Sequence, residues 1–183
     1  MALKLIPGTL DDARAWIGRS LPPRTGVDAA TIADFRRKLE VQGVDIPIHT
    51  DPGVARAHGY RDAVAPVSML RPISTRAYWT VGDPLSLEPY VPGPPVFEFV
   101  PGPGDRVIVT GVDTRYHEPV YPGDRIVSVS TITDVQPKST SIGEGIFLWV
   151  ETRYAKEASD ALCAVEMLSF FRYTPRAGHD RAD

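Results

Sequence analysis

The segment 43–70, GVDIPIHTDPGVARAHGYRDAVAPVSML, contains the residues whose types and spacing best suit proton-transfer chemistry. His49 and Asp45 lie four residues apart in a loop interrupted by proline. A histidine titrates near neutral pH and can remove or return a proton, while a neighbouring carboxylate can orient its ring or activate a water molecule. The spacing predicts an acid/base pair. The alternative is that His49 is a hydrogen-bonded structural residue and Asp45 a solvated loop residue.

The same segment leads into a predicted helix. Apolar residues recur at helical spacing from Pro66 to Ala77, and proline suits the first turn, where its missing N–H costs nothing. Backbone N–H groups at a helix N-terminus favour negative charge, so the amides of Val67 and Ser68 are candidates for binding an oxyanion. Pro72 predicts a kink or an early end of this helix.

Composition excludes several classes of function. The chain has 183 residues, of which 43% are hydrophobic and 23% charged, with a net charge of −3. These values are typical of a globular protein, and the interleaved charges indicate neither a nucleic-acid surface nor a membrane-binding segment. No apolar run approaches the length of a transmembrane helix, and the start lacks a signal peptide's apolar core, which predicts a cytoplasmic protein. Cys163 lies in the apolar run ALCAVEML and is predicted to be a buried small hydrophobe.

The first half of the chain predicts helices and loops. Asp28 is a candidate N-cap for a helix over ATIADFRRKLE, and Asp51 a candidate N-cap for the turn PGVARAHG. Residues 82–104 are rich in proline and glycine and are predicted to form a long loop with one extended piece at Val96 to Val100.

From Asp105 onward the apolar period becomes two. Four runs rich in β-branched and aromatic residues are separated by short turns, which predicts four long strands in a largely antiparallel meander. One face of such a sheet must be covered by another segment of the chain, and 65–81 is the segment apolar enough to cover it. We therefore expect an α+β hot-dog fold, a sheet wrapped around a central apolar helix. The predicted domain covers 27–175, preceded by a connector over 1–26 and followed by a polar tail over 176–183.

Four local motifs carry a resemblance to a known family. They are WIGR at 16–19, the run from PIHTD to VAP at 47–66, RYHEPVYPGD at 115–124 and the strand ending SFFRY at 169–173. In this order and spacing the chain resembles the MaoC-type hot-dog family, and within it the dehydratase domains related to type I fatty-acid synthase.

This resemblance implies reversible hydration of a trans-2-enoyl thioester to the (R)-3-hydroxyacyl thioester, with the acyl group on coenzyme A or on the phosphopantetheine of an acyl carrier protein. It implies no metal and no other cofactor. His49 matches the histidine of the family motif D-x-N-P-[IL]-H, but Val44 and Ile46 stand at its Asp and Asn positions, and Asp45 is shifted by one residue. The resemblance places a further set of residues at the substrate: Gly59, Tyr60, Val67 and Ser68.

The resemblance also implies pairing with another hot-dog chain, as a homodimer or a heterodimer. Two alternatives to a hydratase remain open. The departures at Val44 and Ile46 suit a non-catalytic partner subunit of a heteromeric dehydratase. The long segment 35–47 and the proline-rich loop 82–104 suit a repurposed hot dog, a dehydratase or cyclase of a polyketide-type pathway.

Overall fold

A five-stranded antiparallel sheet dominates the computed structural model, which describes residues 5–26, 28–74 and 96–177. Its strands are β1 (Arg24–Thr25), β2 (Arg106–Tyr116), β3 (Ile126–Ser139), β4 (Gly143–Lys156) and β5 (Leu162–Pro175). The spatial order is β1–β3–β4–β5–β2. The four long strands predicted from period-two patterning are confirmed. Strands β3, β4 and β5 alternate between a buried and a more exposed face, whereas β2 is exposed along most of its length.

The meander prediction is right for β3, β4 and β5 and wrong for β2. Strand β2 pairs with β5 along its whole length and so lies at the edge opposite to β1. The connection 117–125 therefore crosses over instead of forming a tight hairpin. It first continues the ladder, since the amides of His117 and Glu118 donate to the carbonyls of Cys163 and Leu162.

The described helices are short. They are α1 (Leu10–Arg14), α2 (Ile32–Gln42), α3 (Pro52–Ala57), α4 (Leu70–Ile73) and α5 (Val96–Phe99), with 3-10 turns at Pro47–His49 and Val67–Met69. None of the helices described here is long and apolar enough to cross a membrane.

The caps of α2 and α3 show how well local sequence predicts helix starts. Asp51 caps α3 as predicted, because its carboxylate accepts from the amides of Gly53 and Val54. The prediction that Asp28 caps α2 is wrong. Thr31 does so, in a reciprocal capping box with Asp34, because the helix begins at Ile32 and Thr31 is the residue directly before it.

The predicted extended piece at Val96 to Val100 is a helical turn instead. Val96–Phe99 forms α5, and the side chain of Phe97 is buried and meets the ring of Phe170 edge-on at 5.2 Å between centroids. Packing of one aromatic face against the sheet outweighs the strand propensity of the sequence VFEFV. The rest of the predicted loop up to residue 95, and the predicted helix beyond Ser74, lie outside the described residues.

The inner face of the sheet carries two apolar clusters. One joins α1 and α5 to the middle of the sheet through Ile132, Val150 and Leu168. The other packs α2, the segment 65–73 and the strand ends around Phe35 and Ile126. The described start of the predicted central helix therefore lies against the sheet, as expected for 65–81. Pro72 lies in the first turn of α4, where it disrupts no intrahelical bond.

The N-terminal part of the described chain joins the same sheet. Arg24 and Thr25 pair with Ser128 and Val127, and the amide of Leu21 donates to the carbonyl of Ser130. The domain boundaries at 26 and 175 remain a prediction.

Candidate functional site

Hydrogen bonds to the backbone of the segment 64–65 hold His49 in place. It ends the 3-10 turn Pro47–His49, and its ring Nδ1 lies 2.6 Å from the carbonyl oxygen of Val64. The amide of Val64 in turn donates to Ile48, and the amide of Ala65 to Val120. A carbonyl only accepts, so Nδ1 donates this hydrogen bond, and Nε2 is the ring nitrogen left to exchange a proton. His49 is half-buried, which suits a proton-transfer group.

Asp45, the predicted partner of His49, lies in an exposed segment that follows α2. Helix α2 ends at Gly43, whose φ of 68° turns the chain, and the following segment 44–47 is exposed. Within the described part of the chain, Asp45 makes no hydrogen bond or ion pair. Among the described residues, Asp45 and His49 are therefore not hydrogen-bonded to each other, and their role as an acid/base pair stays a prediction.

The four other predicted site residues lie around one end of the sheet. Gly59, with a φ of 88°, ends α3 and is followed by Tyr60, whose amide donates to the carbonyl of Ala55. Val67 and Ser68 begin the 3-10 turn before α4 and are exposed. Neither of their amides donates to a carbonyl within the described residues, so both remain available to an acceptor.

A pocket of about 210 Å³ opens beside these residues. Two of the predicted residues, Tyr60 and Val67, line it; His49, Gly59 and Ser68 do not. The rest of its wall is mostly apolar and comes from the segments 64–66 and 116–120 together with Leu70, Ile73 and Cys163. Such a cavity suits an aliphatic group more than a highly charged one.

The pocket also contains residues that sequence reasoning did not assign to the site. His117 and Glu118 lie at its mouth with exposed side chains. Their only signal in the sequence is the motif RYHEPVYPGD, in which they follow the aromatic Tyr116.

Cys163 is buried, as predicted, and forms part of the pocket wall. Burial raises the pKa of its thiol to about 11. The thiolate is therefore scarce near neutral pH, which argues against a nucleophilic role.

The two most specific motifs meet in one polar cluster next to the pocket. The Asp124 carboxylate, from YPGD, accepts from Arg61 of GYRD at 3.2 Å, from Lys156 at 2.8 Å and from the amide of Tyr121 at 2.9 Å. Arg61 and Lys156 also lie over the ring of Tyr121, at 4.3 Å and 4.9 Å from its centroid. These contacts fix the loop 58–64 to the sheet. The motifs GYRD and YPGD are therefore explained by their role in holding this loop in place. Gly123 supplies the φ of 89° that this turn requires.

In the part of the chain that the structure describes, no three His, Cys, Asp or Glu side chains converge in a way that would hold a metal ion. The groups at the pocket that could take part in chemistry are the imidazole of His117, the carboxylate of Glu118 and the backbone, within a mostly apolar wall.

Residues 15–164 match the family model described as FAS1-like, dehydratase domain region. Over 167 residues the chain is 29% identical to a probable enoyl-CoA hydratase alpha subunit of Thermomonospora curvata, covering 89% of this chain. The match covers 51% of that relative, so the chain spans about half of its length.

Solved structures share the fold. The ChsH1-ChsH2 complex of Mycobacterium tuberculosis contains a chain with a TM-score of 0.67 and 21% identity, with 92% of this chain and 93% of that chain covered. The R-hydratase PhaJ1 from Pseudomonas aeruginosa gives a TM-score of 0.58 and 16% identity, with 95% and 90% covered. These likenesses confirm the predicted α+β hot-dog fold.

Proposed function

The chain belongs to the FAS1-like dehydratase family, and we propose that it serves the reversible hydration of 2-enoyl thioesters as one hot-dog subunit of a larger assembly. The family match and the hydratase relative support the reaction class. The apolar pocket supports an acyl substrate. The proposed products are (R)-3-hydroxyacyl thioesters on coenzyme A or on the phosphopantetheine of an acyl carrier protein.

One observation supports a particular role for the chain in this reaction. Hydration needs a base to activate water and an acid to protonate the α-carbon, and these groups must act on the same substrate. Here His49 is ordered by Val64, while Asp45 is exposed and bonded to nothing among the described residues. We therefore propose that this chain shapes the acyl site and that a partner hot dog supplies a complete Asp–His pair.

A second candidate function follows from His49 itself. With Nδ1 fixed on the Val64 carbonyl, Nε2 is free to act as the principal acid/base, and Asp45 would complete the pair from its exposed loop. The amides of Val67 and Ser68 would then polarise the thioester carbonyl. In this case the chain is a hydratase or dehydratase on its own.

Hydration of crotonyl-CoA and of a longer trans-2-enoyl-CoA, followed by the enone absorbance, separates the two roles. We expect the purified chain to be nearly inactive alone and active when coexpressed with a hot-dog chain that carries an intact D-x-N-P-x-H motif. His49→Ala should then leave the rate of the assembly within about twofold, because the partner's pair performs the proton transfers. His58→Ala, which removes an exposed histidine at the end of α3, is the matched control.

The opposite outcome establishes the second candidate. If the chain alone hydrates either substrate and His49→Ala lowers its rate by about 100-fold or more, the acid/base is His49 and the partner role is wrong. Asp45→Asn then tests the carboxylate.

The edge strand β2 is the surface we propose for the partner. No strand of the described residues pairs with its outer edge, and apolar side chains are exposed on both of its faces: Ile108 at 40%, Val109 at 55%, Val112 at 59% and Tyr116 at 50%. A long, apolar edge strand is a template for pairing with another strand. The heteromeric ChsH1-ChsH2 structure supports a second hot dog as the occupant.

Ile108→Lys is expected to block this pairing, because a charged side chain on an edge strand opposes strand addition. Light scattering after gel filtration should give a wild-type particle heavier than the 20.0 kDa chain, alone or with the hot-dog partner. The variant should elute at the chain mass, while Val41→Lys, at a position 81% exposed on α2, should behave as wild type. A wild-type chain that stays monomeric under both conditions contradicts the proposed interface.

A further inference from the structure

An ion pair joins helix α4 to strand β5. Arg71 donates to Oε1 of Glu166 at 2.6 Å, and the hydroxyl of Tyr154 donates to the same oxygen at 3.0 Å. The side chain of Glu166 is 11% exposed and that of Arg71 is 52% exposed. Burial, and then the charge of Glu166, raises the pKa of Tyr154, so this hydroxyl stays protonated as a donor. The carboxylate is thus held on the sheet by Tyr154 and joined to α4 by Arg71.

The pair connects two parts of the pocket wall. On one side, Arg71 lies in the segment 66–74, which lines the pocket with Pro66, Val67, Leu70 and Ile73. On the other side, Cys163 also lines the pocket and stands three residues before Glu166 on β5. The separation of these two parts of the wall therefore depends on the contact between Arg71 and Glu166.

Among the described residues, no backbone hydrogen bond joins the segment 66–74 to the sheet. Just before this segment, the amide of Ala65 donates to the carbonyl of Val120 at 2.8 Å. The backbone hydrogen bonds given by the described residues of 66–74 stay within the segment. Met69 and Leu70 pack in the apolar cluster on the sheet, but apolar contacts are not directional and permit small shifts. The hydrogen bond from Arg71 to Glu166 supplies a direction that these contacts lack.

Stability alone does not call for a carboxylate at position 166. Replacing a buried ion pair by apolar groups is often neutral or stabilising, so packing does not require a charge here. A charge-assisted hydrogen bond does set the separation and orientation of the two groups that it joins. The nearly buried Glu166 therefore suits a role in positioning α4.

We propose that Glu166 is a positioning residue for the acyl pocket, and that through Arg71 it keeps the turn Val67–Met69 and Leu70 where an acyl thioester binds. A protein that spends only a fraction of its time in the binding arrangement has its apparent affinity reduced by that fraction. The inference rests on the proposed acyl-thioester function and adds a residue that acts on this site without touching the substrate.

The double variant Glu166→Leu/Tyr154→Phe tests the proposal. It removes the contact without leaving a buried polar group unpaired, because the half-exposed guanidinium of Arg71 can be hydrated. In calorimetric titrations of the chain in its assembled form, the variant should bind octanoyl-CoA about tenfold more weakly than the wild type. Its urea midpoint should stay within about 0.5 M of wild type, since apolar groups replace the polar ones.

Two further variants make the result specific. Glu166→Gln keeps the shape and an acceptor oxygen but loses the charge, so it should weaken binding by only about threefold. Ser130→Ala/Thr152→Val is the matched control. It removes two side chains that are hydrogen-bonded to each other at 2.8 Å, and Thr152 lies directly opposite Glu166 in the sheet. This control should bind octanoyl-CoA as the wild type does.

Hydrogen exchange followed by mass spectrometry reports on the segment 66–74 without any ligand. Peptides that cover this segment should exchange about tenfold faster in Glu166→Leu/Tyr154→Phe than in the wild type, because the loss of a directional contact favours local opening. Peptides from β3 should exchange at the wild-type rate.

The outcomes separate this inference from the proposed function. Wild-type affinity or wild-type exchange in the double variant overturns the positioning role and leaves the acyl-thioester function standing. Equal weakening of binding in the Ser130→Ala/Thr152→Val control overturns it as well. If the double variant does not fold, Glu166→Gln decides alone, and wild-type affinity in this variant overturns the role. Failure of octanoyl-CoA to bind the wild type overturns the proposed function and this inference with it.

Discussion

Replacing Arg172 by leucine is expected to lower the free energy of unfolding by about 3 to 5 kcal/mol. The guanidinium is 1% exposed and donates to three backbone carbonyls, those of Ile6 at 2.8 Å, Gly104 at 3.0 Å and Val100 at 3.3 Å. A leucine fills part of the space but leaves three acceptors near the core without a donor. Each such group costs about 1 to 3 kcal/mol if it stays unpaired, and partial relaxation reduces the sum.

The three carbonyls belong to segments that are far apart in sequence. Arg172 on β5 joins the N-terminal segment to the turn after α5, so its loss should loosen both from the sheet. Burial lowers the pKa of Arg172, although an arginine remains charged at any working pH. Lysine cannot restore this arrangement, because one ammonium does not reach three carbonyls in the directions that a planar guanidinium does.

Urea unfolding monitored by tryptophan fluorescence measures this effect. Arg153→Leu is the matched control, since Arg153 lies on β4 with an exposed side chain and should change stability by about 0.5 kcal/mol or less. Equal midpoints for the two variants would show that the buried guanidinium is dispensable.

The sequence predicts those parts of the fold in which local and tertiary preferences agree. Ile126 and Ile132 alternate with more exposed positions on β3, and both face the core. An aspartate directly before a proline is typical of a helix start, and Asp51 caps α3 as this pattern predicts. The errors occur where contacts between residues distant in sequence determine the local structure. Phe97 lies in a helical turn and packs on Phe170, and β2 pairs with β5 in a ladder that continues into His117.

In the candidate site, too, some features follow from the local sequence and others do not. Of the residues predicted at the substrate, Tyr60 and Val67 line one pocket, while the role of His49 stays a prediction. The sequence cannot place Asp45, because four residues of separation say nothing about direction once Gly43 has ended α2 in a left-handed turn. Nor does the sequence show that Glu166 is buried, since a glutamate within the strand CAVEML has the same local pattern whether it faces solvent or the core.

Asp124→Ala is expected to destabilise the fold by about 2 to 4 kcal/mol, mostly through the cation that it leaves behind. The side chains of Asp124 and Lys156 are 14% and 12% exposed, and their charged atoms lie 2.8 Å apart. Without the carboxylate, the ammonium is nearly buried and lacks its counter-ion. The bond to Arg61 contributes less, because this side chain is 63% exposed and its ion pair is screened by water.

A second substitution separates the stranded charge from the lost contacts. Removing both partners of a buried pair costs less than removing one, so Asp124→Ala/Lys156→Met should regain about half of the lost stability. Asp113→Ala, at an exposed position on β2, is the control for removal of an aspartate and should change stability by about 0.5 kcal/mol or less. A double variant less stable than Asp124→Ala would mean that Lys156 stabilises the fold by other contacts. The pair would then not be what ties the motif 121–124 to the loop that carries Tyr60 into the pocket.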